Sequence, residues 1–194
     1  MGGGVFLGRE DALQTRIGGQ GVLLRHPASR HYDAWSQLRA ASRDFLHPWE
    51  PTWAPDDLSR ASFRARLRRY EDDILSDRSY PFFVFRDGDE ALVGGATLSR
   101  VQRGVAQSCT LGYWIGAPYR RRGFTLAATN ALIGFAFGSL GLHRMEAACV
   151  PENNASRALL AKAGFLHEGL ARSYLKINGP WRVHLLFGLV SAAA

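Results

Sequence analysis

The residues best suited to chemistry sit together in one stretch, Gly112-Tyr113-Trp114-Ile115-Gly116-Ala117-Pro118-Tyr119-Arg120-Arg121-Arg122-Gly123-Phe124-Thr125: a strand, a basic turn and the start of a long apolar helix. Such an arrangement holds an anion. The first N–H groups of a helix have no partner within it, the helix dipole favours negative charge there, and a glycine lets the main chain approach a ligand closely. Pyrophosphate is the natural guest. The turn contains no G-x-x-x-x-G-K-[ST] and no G-x-G-x-x-G, which argues against nucleoside triphosphate and nicotinamide cofactors. Taken alone, the same turn also suits a solvated loop that touches nucleic acid.

A second group follows along the chain. Residues 143–150 read as a strand carrying Glu146, and Pro151-Glu152-Asn153-Asn154-Ala155-Ser156 then opens a helix. Asn153 or Asn154 caps that helix, and Gly164 ends it in the left-handed conformation. Ser156, in the first turn, serves either as a local cap or as a proton donor; Glu146 serves either as a partner for an arginine or as a base. Cys109 and Cys149 lie in strand-like runs and read as buried thiols of a cytoplasmic protein. The 6 histidines show no ligand spacing, so no metal is implied.

These groups need a frame, and hydrophobic periodicity supplies one. Residues 22–25 read as a short strand, and 31–41 as a helix with Tyr32, Trp35 and Leu38 on one face. A Pro- and Trp-rich link over 47–55 leads, past Asp56 and Asp57, into a helix ending near Ile74 that aligns Arg60, Arg64 and Arg68. Residues 81–85 and 92–98 form a hairpin about Asp87-Gly88, and 106–115 the next strand. Then come helix 124–140, strand 143–150, helix 155–163, strand 165–176, and a hairpin that turns at Asn178-Gly179 and returns over 181–190. The order β-α-α-β-β-β-α-β-α-β-β is α/β, a mixed sheet with helices packed on it.

At 194 residues and 46% hydrophobic, the chain builds one core, so 21–191 reads as a single domain and 1–20 as a flexible N-terminal extension. The formal charge of +7 comes mostly from arginine, which suits phosphate or carboxylate. The start lacks a secretory signal. Residues 124–142 carry no charge, but Thr125, Thr129, Asn130 and three glycines make them a core helix rather than a membrane span.

Arg120-x-x-Gly123-x-Thr125 resembles the pyrophosphate loop of the GNAT acetyltransferases, in which Gln or Arg, two residues, Gly and one residue precede Gly or Ala. Thr125 departs from that pattern with a branched side chain. The order strand, Asn153, helix, Gly164-Phe165 is similar to theirs. Phe45-Leu46-His47-Pro48-Trp49-Glu50, Leu111-Gly112-Tyr113-Trp114-Ile115 and the stretch from Phe165 to Leu185 resemble the ribosomal-protein-alanine N-acetyltransferases in particular. The resemblance runs from about Val22 to Val190. It implies the GNAT fold, a mostly antiparallel sheet of about seven strands flanked by about four helices.

It also implies acetyl-CoA as cosubstrate, with no metal. Tyr113, Trp114 and Ile115 would offer backbone groups to the pantetheine arm; Arg120, Arg121, Arg122, Gly123, Phe124 and Thr125 would hold the pyrophosphate; Asn153, Asn154 and Ser156 would lie beside them. The implied reaction moves acetyl to a primary amine, the N-terminal alanine of a small-subunit ribosomal protein, with ribosome association and a monomer or homodimer. The tyrosine that many relatives use as acid is replaced by Leu160, so Ser156 takes that role; their glutamate is replaced by Thr110, which leaves Glu146 or Glu50 as base. Trp49 and Trp53 either line the peptide site or pack. Two other readings stay open: acetylation of a small amine such as an antibiotic or polyamine, and an RNA-binding module that has lost catalysis.

Overall fold

Aromatic and branched residues crowd the runs read as strands, and in the computed structural model, which describes residues 16–192, those runs form one sheet. Its strands are β1 (Arg16–Gly19), β2 (Val22–Arg25), β3 (Tyr80–Arg86), β4 (Leu92–Gln102), β5 (Ser108–Ile115), β6 (Arg144–Cys149), β7 (Leu166–Lys176) and β8 (Trp181–Val190). The helices are α1 (Tyr32–Ala41), the single turn α2 (Arg43–Leu46), α3 (Arg60–Leu75), α4 (Phe124–Gly134) and α5 (Asn154–Lys162). Among the described residues the 8 strands lie in the order β1-β2-β3-β4-β5-β6-β8-β7. All neighbours are antiparallel except β5 and β6.

The strand beyond the expected seven is β1, at the end of the segment read as an extension; residues 1–15 of that segment lie outside the described residues. Residues 135–139 do not continue α4 regularly but widen into a π turn, with Leu140 N–H bonded to Phe135 O at 2.9 Å. No helix among the described residues is long and apolar enough to cross a membrane.

Two apolar layers hold the sheet. On one face α4, the π turn that follows it and α5 bury Leu132, Ala136 and Leu160 against Leu98, Leu111 and Met145. On the other, α1 and α3 bring Trp35 and Phe63 onto Phe83, Phe85 and Leu92. That second layer covers β3 and β4, whereas over β6 and β8 the same face carries a groove. The hairpin turns behave as their residues demand: Gly88 adopts φ 97°, and Asn178 and Gly179 adopt 47° and 102°.

The pairing of β5 with β6 is short. It runs from Ser108 opposite Arg144 to Leu111 opposite Ala147 and stops. Beyond that point β5 continues against β4 as far as Ile115, and β6 continues against β8 as far as Cys149. Trp114 helps to keep β5 with β4. Its indole lies on Gly95, where any Cβ would collide with the ring.

His31 is buried beside Phe83 and Phe85, and its Nδ1 accepts the N–H of Ala28 at 3.0 Å. Burial, reinforced by Arg30 and Arg25, lowers its pKa from 6.5 to about 4. The folded protein therefore binds this proton more weakly than the unfolded chain. The stability that His31 contributes is complete above pH 6.5 and is lost as pH falls toward about 4. Urea unfolding followed across this window should lose about 2 kcal/mol of stability through His31, and His31→Asn should flatten that part of the curve.

Candidate functional site

Where β5 and β6 part, a notch opens, and among the described residues β5 has no strand partner on its β6 side after Leu111. Odd-numbered side chains of both strands face α4 and α5, so Tyr113 and Cys149 lie on that side of the notch. The Tyr113 hydroxyl meets Ser156 Oγ at 2.7 Å. Ser156 is itself buried and fixed, because Asn153 Oδ1 accepts its backbone N–H at 3.0 Å and caps α5. Asn154 is not the cap: its Oδ1 accepts from Arg157 at 3.1 Å on the surface.

Burial pushes the Tyr113 hydroxyl up to about 12, with the Ser156 hydrogen bond acting in the opposite direction. Burial raises the Cys149 thiol, and the neighbouring Ser156 side chain opposes the rise. Both cysteines are buried, as their sequence context suggested. Burial pushes Cys109 up to about 12, so neither is poised as a thiolate.

The basic turn lies at the end of the same strand. A 3-10 turn at Ala117–Tyr119 leads through exposed Arg120, Arg121 and Arg122 to Gly123, with φ 84°, at the N-cap of α4. No atom crowds the Gly123 Cβ position, so its left-handed conformation is what demands glycine here. Arg121 also holds a positive φ of 59°. The first helical bond is Ala127 N–H to Gly123 O at 3.0 Å, which leaves the N–H groups of Phe124, Thr125 and Leu126 ahead of the ladder. Thr125 is half-buried at that end.

Glu146 faces the opposite side of the sheet, into a groove that includes Thr110, Arg144, Glu168, Tyr174 and Leu186. It pairs in register with Thr110, one strand away from the position where the resemblance led us to expect a glutamate. Arg144 Nε donates to Glu146 Oε1 at 2.9 Å, and the same guanidinium binds both carboxylate oxygens of Glu168. This bridge passes over Gly188, where any Cβ would strike the Glu168 carboxylate. Sequence reading did not single out Glu168, because its tie to Arg144 spans 24 residues and depends on β8 lying between β6 and β7. Ser156 and Glu146 are thus separated by the sheet, with the notch beside them.

The Pro- and Trp-rich link borders the site through a clasp. Arg39, buried on α1, donates both terminal nitrogens to Glu50 at 2.7 and 2.6 Å, and Trp53 Nε1–H adds a third bond at 2.8 Å. The guanidinium lies between the rings of Trp53 and Trp114, 4.2 and 4.9 Å from their centroids. The carbonyl of Glu50 accepts from Asn178 N–H at 3.0 Å, which joins the link to the β7–β8 turn. With three donors on its carboxylate, Glu50 is a structural anchor and not a base candidate. Trp53 packs within the clasp and Trp49 stands 36% exposed at its edge. The arginine row on α3 is surface: Arg60 pairs with Asp33 at 2.6 Å, and Arg64 and Arg68 are exposed.

Residues 22–166 match the family model described as an acetyltransferase (GNAT) domain. A probable N-acetyltransferase, YjcK of Bacillus subtilis, is 32% identical over 154 residues, covering 79% of this chain and 85% of its own. The [ribosomal protein uS5]-alanine N-acetyltransferase of Escherichia coli is 34% identical over 161 residues, covering 82% and 83%. Among solved structures, Mycobacterium smegmatis RimJ in complex with CoA-disulfide superposes with a TM-score of 0.87 at 32% identity, over 93% of this chain and 89% of that one.

Removal of one partner from the clasp leaves a buried charge uncompensated. Glu50→Ala should therefore lower the unfolding free energy in urea by about 3 kcal/mol, with Glu50→Gln costing distinctly less because it retains an acceptor for Arg39.

Proposed function

The chain belongs to the GNAT acetyltransferase family, and from that premise we propose that it transfers the acetyl group of acetyl-CoA to the N-terminal alanine α-amino group of a small-subunit ribosomal protein. One observation carries the reading of the site: the unpaired edge of β5 at residues 112–115, the free N–H groups at the start of α4 and the Ser156 hydroxyl all border one notch. A β-strand-like pantetheine fits the backbone edge of Tyr113, Trp114 and Ile115. Pyrophosphate fits the N–H groups of Phe124 and Thr125 with Gly123 behind them, and Arg120, Arg121 and Arg122 add positive charge. Asn153 holds Ser156 in place, and Asn154 stands at the outer rim.

When bound, acetyl-CoA supplies a thioester carbonyl open to attack by a neutral amine. Ser156 then donates a proton to the departing sulfur from the α5 side of the sheet. Glu146 receives the proton of the acceptor ammonium, directly or through water, from the groove side. With Glu168 nearby and only Arg144 to offset the two carboxylates, the groove favours a cation.

The identity of the acceptor as a protein N-terminus is supported by the relatives named for that activity and by the link and the β7–β8 turn, which the clasp holds at the border of the site. The acidic groove equally suits a small polyamine, which is the second reading. As parts of the same proposal, residues 21–191 act together with β1 as one domain in the cytoplasm, with association to the ribosome and a monomer or homodimer as working unit.

The reading is tested by thiol release from acetyl-CoA, comparing a short peptide that begins with alanine, its N-acetylated form and a panel of polyamines. Turnover confined to the free alanine peptide is expected; turnover confined to polyamines transfers the assignment to the second reading, and salt-sensitive RNA binding without thiol release transfers it to the RNA-binding alternative. Ser156→Ala should lower kcat by about 100-fold while KM for acetyl-CoA stays within about threefold. Glu146→Gln should lower kcat/KM and remove the acidic limb of its pH profile; an unchanged profile excludes Glu146 as base.

A further inference from the structure

An isolated serine is a weak acid for a thiolate, since giving up its proton leaves an alkoxide in a buried site. Its hydroxyl hydrogen also rotates freely unless a neighbour fixes it. Ser156 is not isolated: Tyr113 Oη lies 2.7 Å from its Oγ. Either oxygen of the pair is geometrically able to donate. Chemistry selects the phenol, the stronger acid of the two, so Tyr113 O–H points at Ser156 Oγ and the serine hydrogen is directed elsewhere.

We propose that Tyr113 is the positioning residue for Ser156, directing the serine hydrogen into the notch and passing a second proton to Ser156 Oγ as the first one leaves. The inference rests on the reading of Ser156 as the acid. In the balanced step, the carbon–sulfur bond breaks, sulfur keeps the electron pair and takes the Ser156 proton, and the Tyr113 proton moves onto Ser156 Oγ. The negative charge then rests on the Tyr113 phenolate rather than on a serine alkoxide, and a proton from solvent restores Tyr113 before the next turnover. Burial, which pushes Tyr113 up to about 12, keeps it protonated at rest, and the Ser156 bond eases its ionisation. Asn153 fixes the backbone of Ser156, so its side chain stays on the Tyr113 side of the notch.

The experiment uses Tyr113→Phe, Ser156→Ala and the double variant, with two readouts. In single-turnover acetyl transfer, Tyr113→Phe should be about 10-fold slower than wild type, and the double variant no slower than Ser156→Ala. The second readout needs no turnover: calorimetric affinity for CoA relative to desulfo-CoA, in which hydrogen replaces the thiol, measured at pH 7 and pH 9.5. A directed serine hydrogen favours the thiolate, so wild type should gain about 10-fold over this range, Tyr113→Phe about threefold, and Ser156→Ala nothing. If the double variant loses the Tyr113 factor on top of the Ser156 factor, or Tyr113→Phe keeps the wild-type pH gain, Tyr113 only packs and the proposal falls. If Ser156→Ala alone keeps both the wild-type rate and the pH gain, the reading of Ser156 fails first and the role of Tyr113 falls with it.

Discussion

The site depends on one interruption: two parallel strands that pair from Ser108 to Leu111 and then separate. A main chain that leaves a sheet partner must satisfy its N–H and C=O groups some other way, and an edge facing a narrow notch favours an extended ligand that completes the sheet. Each strand is pulled aside by its other neighbour. β4 holds β5 as far as Ile115, with Trp114 lying on Gly95, and β8 holds β6 as far as Cys149. Each strand keeps its outer partner as the two diverge, and in this way the opening is built into the fold.

Everything that borders the notch is fixed from outside it. The Asn153 cap sets the first turn of α5 and with it Ser156. Gly123, at φ 84°, swings the chain from the basic turn into α4. On the opposite face, Arg39 ties the link and the β7–β8 turn to Trp114, a residue of the same strand whose free edge faces the notch. A guanidinium buried between two indoles tolerates little displacement, because its carboxylate partner and its ring contacts must be kept together. The link, the β7–β8 turn and the open edge of β5 therefore share one rigid support.

Much of this was legible in the amino-acid order because the signals were local. Asp87-Gly88 and Asn178-Gly179 mark turns that need positive φ, and the change from two-residue to helical periodicity at Phe124 marks the start of α4. What remained hidden was set by distant partners. Tyr113 and Ser156 stand 43 residues apart, Arg144 and Glu168 stand 24 apart, and only the strand order brings either pair together. Glu50 resembled a free carboxylate because nothing near it in sequence announces Arg39. β1 escaped notice since Gly18 and Gly19 have no β propensity; pairing with β2 makes it a strand.

With Ser156 as the proposed acid and Glu146 as the proposed base, their placement on opposite faces of one sheet also constrains the acceptor. On that proposal an amine that loses its proton toward Glu146 approaches from the groove, whereas the sulfur it displaces leaves toward Ser156, so attack and departure run through the notch in one direction. The groove carries two carboxylates against a single arginine, a balance that draws in any ammonium and by itself distinguishes poorly between a polyamine and a protein N-terminus. Discrimination must come from what borders the groove. The clasp joins the link to the β7–β8 turn, so both are held by the same buried arginine. On the proposed reading, a rigid support of this kind rejects a bulky first residue by shape, at little cost to a small one such as alanine.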